Sequence, residues 1–198
     1  MNRNIIHIVQ SEIFKVVPRF SFLSKADVDI LVNNLHSGLI SLNYYPDVIV
    51  GISSGGNYAS ARLSDKFGVP LKNVHISHYN ISFCGLDLDE IVGVYSVARL
   101  FNYKPNTFLK NNVDGSFLKD KSVLLVDDDS YSGFTLRIAK NAILEHEPKS
   151  LKSIVLHTYF NNAEVDFAGK FYEKREFYNL KLRFPWSKIS PHFKSGYF

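Results

Sequence analysis

The chain has 198 residues, 45% of them hydrophobic and 21% charged, with a net charge of +4, which excludes intrinsic disorder and suits one core with a small appended subdomain. Lysines and arginines are spread along the sequence, so duplex nucleic acid is not the natural partner. The lone Cys84 and seven scattered histidines exclude an internal disulfide and any zinc-ligand spacing.

The N-terminus, MNRNIIHIVQSEIF, has too short an apolar stretch for a secretory signal, and no run reaches the roughly twenty residues that span a bilayer. The expected location is the cytoplasm, with no membrane partner. Ile5 to Val17 alternates irregularly and is predicted as a strand or a short helix of the appended subdomain or of a dimer contact. Ser24 then opens a helix: Asp27 completes a capping box, Leu23 and Val28 form a staple, and Leu31, Val32, Leu35 and Leu39 continue the buried face.

Residues 47–71, DVIVGISSGGNYASARLSDKFGVPL, read as a strand, a glycine turn and a helix. Asp47 to Ile52 is a buried-strand run, Ser53, Ser54, Gly55 and Gly56 make the turn, and Ala59, Leu63 and Phe67 share a helix face before the stop at Gly68-Val69-Pro70. Gly51 and Gly56 have the spacing of a nucleotide-binding P-loop, but Asn57 and Tyr58 stand where that motif requires Lys and Ser/Thr. No dinucleotide fingerprint is present. The same residues satisfy G-x-S-x-G, so a serine hydrolase using Ser53, with Asp127 and His157 in triad order, is the rival reading. Against it, only about fifty residues precede the serine, too few for the strands that normally come before such an elbow, and no glycine-rich oxyanion loop lies upstream.

Lys72 to Ser77 is a third strand. Residues 78–121 show weak periodicity over a length unusual for a plain connection, and Val92 to Leu100 is predicted as one arm of a hairpin there. Next comes SVLLVDDDSYSGFTL, residues 122–136. Val123 to Val126 reads as a strand buried on both faces, with Asp127, Asp128 and Asp129 at its carboxyl end. Ser130, Tyr131, Ser132 and Gly133 form a compact turn, and a helix begins near Phe134, with Leu136, Ile138, Ala139, Ala142 and Ile143 inward. Helix-start N–H groups with the hydroxyls of Ser130, Ser132 and Thr135 make an anion cradle. Carboxylates beside a phosphate repel it unless hydroxyls or a divalent cation lie between, and a ribose fills that gap. A calcium loop fails in both registers, because Ser132 or Ala139 falls where glycine or glutamate is required.

Leu151 to Thr158 is a further strand, and Leu180, Leu182 and Phe184 alternate toward Pro185-Trp186-Ser187. A lone Trp with apolar neighbours either closes the core or offers a stacking face to a base. Lys170, Lys174 and Arg175 read as a solvated face. Strands alternating with helices predict an α/β fold with a mostly parallel, twisted sheet, ligands sitting at the strands' carboxyl ends. Sixteen Phe and eleven Tyr suit an oligomer interface as well as a core, and a homodimer is expected.

Val126-Asp127-Asp128 followed by Ser132-Gly133 and Thr135 resembles the ribose-5-phosphate loop of type I phosphoribosyltransferases. Phe184-Pro185-Trp186 is similar to the segment that packs over the purine in the xanthine/guanine/hypoxanthine (6-oxopurine) members. The chain departs from their pattern at Phe134 in place of a second glycine, Tyr131 in place of a catalytic acid, Ser54 in place of a basic residue and Ser187 in place of an acid. The resemblance implies one domain over 1–198: a core of roughly 24–160, a hood from 1–23 and 161–198, and a flexible lid within 78–121. It implies transfer of ribose 5-phosphate from phosphoribosyl diphosphate to a nucleobase, expected to be a purine in a salvage role, with release of diphosphate and Mg2+ as cofactor.

In that frame Asp127 and Asp128 are the catalytic pair, meeting the metal indirectly through ribose hydroxyls or water. Asp129, Ser130, Tyr131, Ser132, Gly133, Phe134 and Thr135 bind the phosphoribosyl group, Ser53 to Gly56 the diphosphate, and Phe184 and Trp186 the base. A catalytically silent regulator that senses phosphoribosyl diphosphate is the other outcome the fold allows.

Overall fold

The computed structural model describes residues 19–53, 55–78, 82–83, 86–87, 107–109, 115–130, 133–159, 163–172, 180–187 and 190–192. Strand β1 (Arg19–Phe22) leads into helix α1 (Lys25–Ser41). Ser24 Oγ accepts the Asp27 N–H at 3.2 Å and the Asp27 carboxylate accepts the Ser24 N–H at 2.8 Å, the reciprocal cap its sequence predicts. The helix buries Val28, Val32, Leu35 and Leu39 at i, i+4, i+7 and i+11.

Strand β2 (Val48–Ser53), helix α2 (Asn57–Phe67) and strand β3 (Leu71–His78) follow in the predicted order. Gly68 ends α2 at φ 66°, a left-handed conformation that a side chain would strain. Beyond them come the short β4 (Ser82–Phe83) and β5 (Leu86–Asp87), then β6 (Thr107–Leu109) and a 3-10 turn at Gly115–Phe117. β7 (Ser122–Ser130), α3 (Phe134–Leu144), β8 (Ser150–Tyr159), β9 (Phe167–Tyr172) and β10 (Leu180–Arg183) complete the described elements.

Six strands form one sheet in the order β6-β3-β2-β7-β8-β9, parallel throughout except for the antiparallel β3–β6 pair. Two hydrophobic clusters sandwich it. Leu124 and Val126 of β7 pack with α1, α2 and the C-terminal Leu182, Phe184 and Trp186, while Val123 and Leu125 pack with Leu136, Ala139 and Ile143 of α3. Because successive strand side chains face opposite ways, β7 is apolar on both faces and central.

The predicted α/β architecture is thus present, with three differences in detail. β7 does not end at Val126 but continues to Ser130, held by the register Asp129↔His157 and Ser130↔Thr158 with β8. β9, in the stretch assigned to the hood, joins the main sheet, and β6, in the stretch assigned to the lid, forms its opposite edge. β1 and β10, from the two ends of the chain, pair in parallel as a separate two-stranded sheet. Ile5 to Val17 and the hairpin arm at Val92 to Leu100 lie outside the described residues.

Candidate functional site

The site grows from the continuation of β7. Once Asp127, Asp128 and Asp129 are strand residues, alternation separates them: Asp128 follows Leu124 and Val126 onto the α1/α2 face, whereas Asp127 and Asp129 follow Val123 and Leu125 onto the α3 face. The backbone thus sends the three side chains off in two directions, although the Asp127 and Asp128 carboxyls still meet and the charges of all three act on one another.

Asp128 is the convergence point. A Cβ placed on Gly55 would collide with both carboxylate oxygens of Asp128, so the absent side chain is what lets the β2–α2 turn close on the acid. Gly56 packs as tightly: its Cβ would come 2.5 Å from the Val126 carbonyl oxygen and 2.8 Å from that of Ile52, to which the Gly56 N–H already donates at 2.8 Å. On its other side Asp128 Oδ2 accepts the indole N–H of Trp186 at 2.8 Å. Burial, then the charge of Asp129, pushes its carboxyl up to about 6, against the lowering effect of the indole bond.

Asp127 is 6% exposed, and its Oδ1 accepts the Asp128 N–H at 2.9 Å. Burial first and the Asp128 charge second hold its carboxyl well above the ordinary carboxylate range. Asp129 takes a different partner: its Oδ1 lies 2.9 Å from Nδ1 of the fully buried His157, the cross-strand neighbour on β8. Ser130 is a buried strand residue whose carbonyl accepts the Thr158 hydroxyl at 2.9 Å.

Gly133 sits at the N-cap of α3 with φ 73° and no side-chain cap, and Gly56 likewise opens α2 without one. Helix starts whose own N-cap side chain takes no backbone donor suit anions. Phe134 and Thr135, the first residues of α3, are half-buried, with the Arg137 guanidinium 5.0 Å from the Phe134 ring. Ser54, Tyr131 and Ser132 lie outside the described residues.

Phe184 and Trp186 stack on each other, 4.9 Å between centroids and 4° between planes, and Trp186 meets Tyr58 at 5.8 Å. With Trp186 only 8% exposed, little of its face is open to a base in this conformation. The hydrolase constellation is not assembled. Ser53 Oγ donates to Asn57 Oδ1 at 3.1 Å, β7 separates its strand from that of His157 by about 10 Å, and His157 pairs with Asp129 in place of Asp127. Nor does Ser53 have the strained backbone of a nucleophile elbow: among the described non-glycine residues only Asn43, Asp120 and Glu147 have positive φ.

Among the described residues no three His, Cys, Asp or Glu gather as a metal cage. The Asp127 and Asp128 carboxylates are nonetheless hard oxygen donors, the type that suits Mg2+ shared with substrate oxygens. No helix among the described residues is long and apolar enough to cross a membrane.

Sequence reasoning missed two contacts here, Trp186 to Asp128 and His157 to Asp129. The first joins residues 58 apart and depends on how the C-terminal segment packs against α2 and β7, while the second, 28 apart, follows from the β7–β8 register.

Among solved structures the chain is similar to a purine phosphoribosyltransferase from Pyrococcus horikoshii, with TM-score 0.64, 24% identity, and coverage of 86% of this chain and 95% of that one. It is similar also to a hypothetical protein from Neisseria gonorrhoeae with bound ppGpp (0.66, 15%, covering 87% and 91%). A third is the Helicobacter pylori xanthine-guanine-hypoxanthine phosphoribosyltransferase (0.59, 14%, covering 86% and 95%). At these identities the likeness is one of fold, the type I phosphoribosyltransferase fold. No curated protein matches the chain. The sequence profile of the phosphoribosyl transferase domain matches residues 23–177, from the residue before the α1 cap to beyond β9, and so takes in both glycine-opened helices and the acidic strand between them. On that match the chain belongs to the phosphoribosyl transferase domain family.

Proposed function

We propose that the protein transfers ribose 5-phosphate from phosphoribosyl diphosphate to a purine base, releasing diphosphate. The observation that carries this reading is the meeting of Asp128 with Gly55, which brings the expected pentose strand and the expected diphosphate turn to one point at the carboxyl end of the sheet. Family membership supports the reaction class, and two fold neighbours that are purine and xanthine-guanine-hypoxanthine phosphoribosyltransferases favour a purine.

In this mechanism Asp128 and Asp127 hold the ribose hydroxyls and stay near the positive charge that develops as the glycosidic bond to diphosphate breaks. Catalysis is mostly positioning and electrostatics. The α3 entrance at Gly133 to Thr135, with Ser132, anchors the 5-phosphate, and the Ser53–Gly56 turn holds diphosphate. Asp127 and Asp128 would hold Mg2+ indirectly, through hydroxyls or water, and the ion would supply charge neutralisation for the leaving group. Phe184 and Trp186, beside Asp128, mark the side from which the base arrives. Asp129, paired with His157, supports the strand end more than the sugar. We place the enzyme in the cytoplasm, and as a homodimer, the latter favoured by exposed apolar side chains such as Leu42 and Tyr45.

A panel assay tests the proposal: purified protein, phosphoribosyl diphosphate, Mg2+ and candidate bases, with nucleotide formation followed by chromatography. Formation of a purine nucleotide is the expected result. Binding of the donor without conversion of any base would make the protein a sensing regulator. Labelling of Ser53 by a fluorophosphonate probe without any donor binding would restore the hydrolase.

A further inference from the structure

We infer that Trp186 is a positioning residue for Asp128, presetting the carboxylate that grips the pentose, and not mainly a platform for the base. The inference rests on the transferase reading above. It starts from the indole N–H, which is a donor only and, once buried, must find an acceptor. That acceptor is Asp128 Oδ2 at 2.8 Å, a charge-assisted bond whenever the acid is ionised.

The ring that carries the donor is itself immobilised. Phe184 stacks on it at 4.9 Å with planes 4° apart, and Tyr58 packs at 5.8 Å. Tyr58 in turn is tied down by its hydroxyl, which donates to Asp29 Oδ1 at 2.7 Å and accepts Arg62 Nε at 3.2 Å. A chain of contacts therefore runs from α1 and α2 through two aromatic rings to one carboxylate oxygen. With Gly55 against the same carboxylate, Asp128 is held from two sides before any ligand arrives. Preorganisation of this kind lowers the entropy lost when the sugar binds.

Trp186 is the chain's single tryptophan, so its indole resonance is unambiguous in a spectrum of the intact protein. Two measurements test the inference. In 15N-labelled protein, Asp128→Asn is expected to shift the indole N–H peak upfield and speed its hydrogen exchange, a result that holds whatever reaction the protein performs. Trp186→Phe keeps the aromatic stack and deletes the donor. It is expected to weaken magnesium-dependent binding of phosphoribosyl diphosphate and to lower kcat by about 10- to 100-fold, as for a hydrogen bond to a charged group. The KM for the base is expected to stay at its wild-type value, and the Asp128→Asn and Trp186→Phe losses to be non-additive in the double variant.

An indole peak indifferent to Asp128→Asn overturns the inference, as does a Trp186→Phe enzyme whose only defect is a raised KM for the base. If the wild type binds no phosphoribosyl diphosphate, it is the transferase reading that fails, while the indole peak still reports on the contact.

Discussion

Two kinds of helix start occur among the described residues. Helix α1 opens on Ser24 with a full capping box, its first-turn donors claimed by Ser24 Oγ and Asp27. α2 and α3, which open beside the acidic strand, begin on Gly56 and Gly133 and carry no side-chain cap. A polar cap is worth about 1 kcal/mol over alanine but only a few tenths over glycine, so a glycine start gives up little stabilisation. At the two glycine starts the local sequence gains close approach, Gly56 to the β7 backbone and Gly133 to a turn that only a positive φ can make. The difference separates the scaffold end of the protein from its proposed ligand end.

The sharpest way to break this comparison is to neutralise the acid at the ligand end. Asp128→Asn is expected to lower turnover by about 10²–10³-fold, the scale of losing one preorganised electrostatic group, while circular dichroism stays that of the wild type. Gly55→Ala comes next. Its methyl meets the Asp128 carboxylate, and the displaced acid is expected to cut kcat/KM by about 10²-fold, with a stability loss of about 1–3 kcal/mol in denaturant melts. Wild-type turnover in Gly55→Ala would mean that the turn and the acid do not work together.

Gly133→Ala forces a side chain into φ 73° and is expected to destabilise the protein by about 1–2 kcal/mol, with a higher KM for phosphoribosyl diphosphate. Ser24→Ala, at the scaffold end, is expected to lower stability by about 0.5–2 kcal/mol and leave kcat/KM unchanged well below the melting temperature. A loss of activity there equal to that of Gly133→Ala would erase the distinction between the two ends.

The smallest effect is on pH dependence. The Asp128 carboxyl, raised to about 6 in the folded protein, contributes stability that is present below the ordinary carboxylate range and lost as pH climbs through about 6. Melting temperatures of wild type and Asp128→Asn should therefore converge as pH falls from about 7.5 to about 5, the variant being relatively favoured at the upper end. Activity runs the other way: kcat/KM should decline below about pH 6, where the acid protonates.

Much of the scaffold was legible because its signals are local. The Ser24–Asp27 cap, the i, i+4, i+7 stripe of α1, the stop at Gly68 and the β-branched run of β7 each lie within a few residues of one another. The ligand end was legible only as a string of residue types. Three consecutive aspartates have poor strand propensity and read as a loop, yet pairing with β8 keeps them in the ladder and sends Asp128 to the face opposite Asp127 and Asp129. Nothing local to Asp129 announces His157, and nothing local to Trp186 announces Asp128. Those contacts depend on strand order and on how the C-terminal segment returns over α2.

The proposed mechanism requires Asp128, the Gly55 turn and the start of α3 to act as one grip on a phosphorylated pentose. Titration calorimetry of phosphoribosyl diphosphate with Mg2+ into wild type, Asp128→Asn, Gly55→Ala and Gly133→Ala tests it most directly. Saturable binding by the wild type, weakened in all three variants, is the predicted result. Equal binding by all four proteins, or none by the wild type, would contradict it.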